Sequence, residues 1–304
     1  MSRGKRADMT VHGEEPFNAE PSRAALADSA VTAAEAFYVR NHGAVPEIDP
    51  ASWRLRVDGL VEHELELMLD ELKEGFAEHE VTATLQCAGN RRVGFLEVRD
   101  IPGEAAWGPG ATGNAVWRGA RLTDVLEAAG LREDAEHVAF LGADISDEPD
   151  PPEAFGASIP LDKATTEEVL LAWDMNGGPL PTVHGAPLRL VVPGYIGARS
   201  VKWLERVTVR AEPSESFFQA STYRLLTPET DPDSISPGEG VALGAVALNS
   251  DILVPDEGVG TGPLDILGRA WDSAAATQPE DPAHLWNPKG YVNNAWAKVS
   301  VTDS

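Results

Sequence analysis

Val81-Thr82-Ala83-Thr84-Leu85-Gln86-Cys87-Ala88-Gly89-Asn90-Arg91-Arg92 holds the one cysteine of the chain. Val81, Ala83, Leu85 and Cys87 alternate with Thr82, Thr84 and Gln86, the period-two pattern of a half-buried strand. The strand delivers a thiol to a Gly-Asn turn bearing two guanidinium groups. A lone cysteine on an apolar strand face commonly packs as a small hydrophobe. Nearby positive charge argues for another role, because it lowers a thiol's pKa and favours the thiolate that attacks electrophiles or binds soft metals.

Working outward, Trp53 to Gly59 alternates as another strand, and Leu69 to Glu80 is helix-prone. Leu122, Val125, Leu126 and Ala129 fall at helical spacing before Gly130, a C-terminal cap. His137 to Gly142, Pro187 to Pro193 and Val201 to Val209 read as strands. Few, short helices mixed among strands give an α+β domain. Residues 1–30 are polar and read as a loosely ordered arm, and the main domain runs over 31–211. Glu212-Pro213-Ser214 is a linker into 212–304, where Val241 to Leu248, Pro263 to Trp271 and Ala295 to Val301 suggest a small β-sandwich.

Composition narrows the function classes. Hydrophobic residues make up 42% of the 304, enough for a packed core, and the net charge is −25, from 49 acidic against 24 basic residues. Such a surface repels nucleic acid and anionic membranes, and its mostly arginine cations suggest adaptation to high salt. No apolar run reaches 18 residues. The start, Met1 to Asp8, lacks the apolar stretch of a secretory signal. One cysteine leaves no internal disulfide. The expected compartment is the cytoplasm.

An acidic chain that gathers cations in a few places is using them for an anion. Polar groups concentrate in Phe37-Tyr38-Val39-Arg40-Asn41-His42, in Cys87 to Arg92, and at Asp144. They recur in His184 to Arg189, in Gly197 to Lys202, and at Tyr223. Each has an ordinary explanation: solvated charge for Arg40, Arg189 and Lys202, packed imidazole for His42 and His184, a turn for Asp144, core for Trp107 and Tyr223. Gly-x-Gly-x-x-Gly, the Walker loop, His-Glu-x-x-His, paired-cysteine zinc spacings, Cys-x-x-Cys-His and Gly-x-Ser-x-Gly are absent. Two readings remain: a cysteine nucleophile served by His42 or His184, or a metal cofactor with a phosphate tail gripped by arginine, histidine and lysine.

Arg40-Asn41-His42, Leu85 to Arg92, Gly156 to Leu161, Val191 to Gly194, Gly197 to Leu204 and Trp286 to Trp296, collinear over most of the chain, resemble the sulfite oxidase family of molybdenum enzymes. The resemblance implies a molybdopterin-binding α+β domain followed by an immunoglobulin-like β-sandwich that mediates dimerisation. Carried over residue by residue, it makes Cys87 the thiolate ligand of one molybdenum per chain. Tyr38, Val39, Arg40, Asn41, His42, Asp144, His184, Arg189, Ser200, Val201 and Lys202 would hold the pterin and its phosphate. Arg40, Arg92, Trp107, Tyr223 and Lys289 would line a pocket for a small oxyanion such as sulfite.

Two departures stand out. Lys289 replaces an arginine, keeping the charge but losing the bidentate fork. After Val246 the second domain lacks the longer strand pair and Asp-Gly-Gly-type hairpin of the family, which bears on whether it forms a homodimer. With no haem expected, electrons would pass to a separate acceptor. Nitrate reduction on the same cofactor, and cofactor or partner binding without catalysis, are the alternatives.

Overall fold

The structure, a computed structural model, describes residues 3–97, 100–101, 103–225, 238–255, 264–271 and 295–301. Lys289 and most of the Trp286 to Trp296 motif lie outside the described residues.

Strands β1 (Thr10–Glu14) and β2 (Phe17–Glu20) pair as an antiparallel hairpin. Helix α1 (Arg23–Ala27) follows, its N-cap Ser22 accepting from the Ala25 amide at 3.2 Å. The first thirty residues are therefore not the loosely ordered arm that polarity suggested. Met9, Phe17 and Ala19 are buried against Val39 and Val183. Ala19 and Val39 exchange both backbone bonds, at 3.0 and 2.8 Å, so the hairpin gains an edge partner that polarity alone does not reveal.

Next come β3 (Leu55–Gly59), β4 (Leu65–Leu67), α2 (Leu69–Gly75) and β5 (Glu78–Gln86). The helix expected to reach Glu80 stops at Gly75. Phe76 is already extended, with φ −125° and ψ 147°, and from Glu78 the chain pairs with Ala120 of β6 (Thr112–Arg121). Helix α3 (Leu122–Ala129) buries Leu122, Val125, Leu126 and Ala129, and Gly130 at φ +72° closes it by donating to the Leu126 carbonyl. The remainder of this region holds β7 (His137–Ser146), β8 (Glu153–Pro160), α4 (Leu161–Ala164), β9 (Leu170–Met175), β10 (Gly178–Pro179), β11 (Arg189–Val191) and β12 (Leu204–Arg210).

Two sheets result. The first runs β10-β9-β6-β5, with β11 also on β9, and is antiparallel throughout. The second runs β4-β3-β12-β7-β8, and only its β3–β12 pair is parallel. The larger apolar core joins Leu55, Val57, Val138, Phe140, Ile159, Val207 and Val209 of the second sheet to Leu171 and Trp173 of β9. Alternate β9 residues, Leu170 and Ala172, join a second core with Phe37, Tyr38, Ala83, Leu85, Cys87 and Trp117. Side chains alternate across a strand, so one sheet serves both cores and the thiol sits in the second.

Beyond residue 212, β13 (Arg224–Leu225) pairs with β14 (Val241–Ala242). Strands β15 (Asn249–Val254), β16 (Leu264–Trp271) and β17 (Ala295–Val301) form an antiparallel sheet. Among the described residues the strand expected over Val241 to Leu248 shrinks to Val241–Ala242.

Candidate active site

At the end of β5 the chain turns tightly around the thiol. The Cys87 amide donates to the Ala111 carbonyl at 2.9 Å and the Asn90 amide returns to the Cys87 carbonyl at 3.0 Å. The Gly89 N–H points at Sγ from 3.4 Å. Residues 105–111 brace this turn from behind, with Arg91 N donating to Gly108 O and Val93 N to Trp107 O, at 2.8 and 2.9 Å. The two arginines do not clasp the sulfur. Arg91 turns away to Asp251, 3.5 Å, and Arg92 pairs with Glu104 at 2.6 Å and with the Ala105 carbonyl at 3.1 Å. Burial consequently pushes the Cys87 thiol up, with Arg40 and, more weakly, Arg92 acting against it. This reverses the direction expected from the neighbouring charges: desolvation outweighs them.

In front of the sulfur lies a cavity of about 630 Å³, counting the part open to solvent. It gathers Tyr38, Val39, Arg40, Asn41, His42, Cys87, Asp144, His184, Arg189, Ser200, Lys202 and Tyr223 from distant parts of the chain. Val201 instead packs in the larger core, and Arg92 and Trp107 stand outside the cavity lining. The N-terminal hairpin shapes one wall: Asn18 Oδ1 accepts from the Asn41 amide at 2.7 Å, and Asn41 Nδ2 donates to Phe17 O at 3.0 Å. Lys202 donates to Asn41 Oδ1 and packs 4.2 Å over Trp203. Arg189 is fixed by the His184 and Ser200 carbonyls, 2.8 and 3.1 Å, and stacks over Trp117. His42 lies flat on Phe155, and its Nε2 is hydrogen-bonded to the Tyr223 hydroxyl at 2.9 Å.

Charge is unbalanced in this wall. Burial brings Arg189 down to about 10, Lys5 down to about 7, and Lys202 and His184 well below their ordinary values. Among the described residues Asp144 is the one carboxylate of the lining and its Oδ1 has no hydrogen-bond partner; burial raises it to about 6 against the pull of Lys202. Buried cations without counter-charge are costly unless an anion joins them. The arrangement thus fits a phosphorylated ligand, with the orphaned Asp144 oxygen free to accept from a ring N–H.

The sulfur tells the same way. Its hydrogen bond comes from Gly89 N, and neither His42 nor His184 reaches it. The nucleophile–base pairing of a cysteine hydrolase is therefore missing. Among the described residues no group of three or more His, Cys, Asp and Glu could hold a metal ion. A metal at Cys87 would not find two further ligands of these types among the described residues.

A family profile described as the oxidoreductase molybdopterin binding domain matches residues 42–218, and one described as the Mo-co oxidoreductase dimerisation domain matches 243–304. Sulfite oxidase of Arabidopsis thaliana is 43% identical over 373 residues, covering 97% of this chain and 94% of that protein. The chain belongs to the sulfite oxidase family of molybdopterin-dependent oxidoreductases. Sulfite oxidase of Gallus gallus is 45% identical over 271 residues, 86% of this chain and 58% of that protein. The chain spans 58% to 65% of the length of the chicken and rat relatives it matches. The crystal structure of the sulfane dehydrogenase SoxCD from Paracoccus pantotrophus superposes with a TM-score of 0.76 at 25% identity, covering 99% of this chain and 77% of that one. The Arabidopsis alignment is longer than this whole chain, so the relative carries insertions that this protein lacks.

Motif reading missed the contribution of the N-terminal segment. Lys5 reaches His184, and Glu20 accepts from Gly108 N at 2.6 Å in the segment that braces the thiol turn. The available signal was Gly4-Lys5-Arg6, a basic step in a strongly acidic chain.

Proposed function

We propose that the protein oxidises sulfite to sulfate at a molybdenum–molybdopterin group held by Cys87, one metal per chain, and passes the electrons to a separate acceptor. The observation behind this reading is the cavity in front of Cys87, walled by buried cations with one carboxylate among them. Bound there, the group supplies a two-electron redox centre able to exchange an oxygen atom with its substrate. Arg189, Lys202, His184 and Ser200 would hold the phosphate through charge-assisted and neutral donors in fixed directions. Asp144, Asn41 and the 38–42 segment would orient the pterin ring.

The substrate is a small, mostly dianionic oxyanion. Arg40 stands within electrostatic reach of both Cys87 and Tyr223 and would draw it toward the sulfur. Burial pushes the Tyr223 phenol up, so it keeps its proton at neutral pH. The phenol shares a hydrogen bond with Nε2 of His42, which burial keeps neutral, and the pair is suited to the proton movements that accompany oxidation.

The domain limits 1–30, 31–211 and 212–304 form part of the proposal, as does a shortened immunoglobulin-like unit in the last of these that joins two copies. Support for a homodimer comes from the dimerisation profile over 243–304 and from exposed Leu225, Val241, Leu248, Ile252 and Val254. No helix among the described residues is long and apolar enough to cross a membrane.

The test is turnover of sulfite with ferricyanide by protein made in cells able to supply the cofactor, alongside elemental molybdenum. Turnover in the metal-loaded protein that vanishes in Cys87→Ser supports the proposal. A nitrate reductase of Hordeum vulgare is 32% identical over 95% of this chain. Nitrate-dependent oxidation of a reduced dye, with no sulfite turnover, would assign the oxyanion the other way.

A further inference from the structure

We propose that Lys5 is a positioning residue of the cofactor site, fixing the tautomer of His184 so that its Nδ1–H faces the cavity as a donor to a phosphate monoester. The inference rests on the molybdopterin reading above.

Lys5 leaves the N-terminal segment and runs inward until it is 9% exposed. Its ammonium donates to Ala34 O at 2.6 Å and Phe37 O at 2.9 Å, and its third direction meets His184 Nε2 at 2.5 Å. Beside a bound phosphate, whose negative charge favours the protonated form, this side chain is an ammonium, with three donors and no acceptor. With two directions taken by carbonyls, the third requires Nε2 to accept, which places the ring proton on Nδ1. The opposite tautomer could send an Nε2–H to the second lone pair of Ala34 O, 3.3 Å away, but it would set that proton against the Lys5 ammonium 2.5 Å away. His184 lines the cavity, its ring stands edge-on to Phe37, and no described residue bonds its Nδ1.

A staple between two loop carbonyls would explain the backbone contacts of Lys5 but not its placement on the imidazole. No carboxylate among the described residues bonds it either; Glu35 acts on it only through space. Its charge therefore adds to that of Arg189 and Lys202, on the side of the cavity where an anion is wanting. Arg6 holds the segment in place, its amide on Glu35 O at 3.1 Å and its guanidinium on Asp8 and Asp28.

Two measurements on the cofactor-loaded protein test this. Long-range ¹⁵N correlation spectra of the imidazoles should show His184 with its proton on Nδ1 in the wild type, and with the proton moved to Nε2 or shared in Lys5→Met. A purely structural staple would leave that signature unchanged. Pterin release after dilution, followed by fluorescence of the oxidised pterin, should be at least about 10-fold faster in Lys5→Met, as expected for loss of a charge-assisted contact. An Nε2–H ring in the wild type overturns the inference even where the variant does not fold, and so does equal pterin retention by a folded variant. Pterin absent from wild-type protein made in competent cells would instead bring down the cofactor reading and the inference with it.

Discussion

Tyr223 and His42 are separated by 181 positions yet share a 2.9 Å hydrogen bond at the cavity wall. The sequence shows both as polar side chains in apolar surroundings; their pairing depends on the chain returning after β12, which no local pattern encodes. With the phenol as the proposed proton donor, Tyr223→Phe should lower kcat/KM for sulfite about 10²-fold, the low end of general acid–base effects, with pterin content unchanged. Steady-state assays beside fluorescence of the oxidised pterin decide it, and unaltered turnover would remove Tyr223 from the reaction. Lys5 makes a pH prediction. Burial lowers its folded-state value to about 7 from an ordinary 10.5. Below pH 7 both folded and unfolded chains hold the proton, and the burial cost is fully present. Between 7 and 10.5 the unfolded chain binds more protons, so stability rises with pH. Cofactor-free wild type should gain about 2 kcal/mol relative to Lys5→Met between pH 7 and 9, read from urea unfolding at the two pH values. A constant difference between the two proteins would mean that Lys5 does not titrate there.

Elements with a clear period were legible, and those made by tertiary pairing were not. Alternation at Val81 to Cys87 and helical spacing at Leu122 to Ala129 were each set by side chains that bury one face, and β5 and α3 follow them. The N-terminal hairpin was not legible, because its stability comes from the Ala19–Val39 pairing and from Asn18 capping the Asn41 amide. The turn after Cys87 was legible, while the fate of its arginines was not, since their partners Asp251 and Glu104 lie outside the motif. Glycine in Asn41-His42-Gly43 has a reason that only packing supplies. A Cβ at Gly43 would lie 1.9 Å from Ile145 O and 2.7 Å from Ile145 C, backbone atoms of β7 that cannot step aside. Gly43→Ala should therefore push the 38–42 segment off the sheet, costing about 3 kcal/mol as an overpacking substitution. It should also deplete bound pterin. Urea midpoints and pterin content measure the two effects, and a variant with wild-type values in both would show that the segment tolerates displacement.

At the scale of the molecule, the C-terminal sheet closes directly on the thiol loop. Gln86 Oε1 accepts from Asn249 Nδ2 at 3.2 Å and from the Trp271 indole, while Asp251 meets both Arg91 and Arg23. Neither contact is readable from composition, whereas the charge that surrounds the whole assembly is. A net charge of −25 makes the compact state repel itself, and salt shortens the reach of that repulsion from about 10 Å at 0.1 M to about 3 Å at 1 M. Surface ion pairs such as Arg6–Asp8 and Arg3–Glu15 weaken under the same screening, but exposed pairs contribute about 0–1 kcal/mol each and acidic residues outnumber basic ones about two to one. Repulsion should win. Urea midpoints at pH 7 are therefore expected to rise between 0.1 and 1 M KCl and then level off as screening saturates. A midpoint that falls over this range would mean that the ion pairs outweigh the excess of carboxylates. A rise continuing undiminished to 3 M would point to ion and water binding at those carboxylates, since a 3 Å screening length leaves little repulsion to remove.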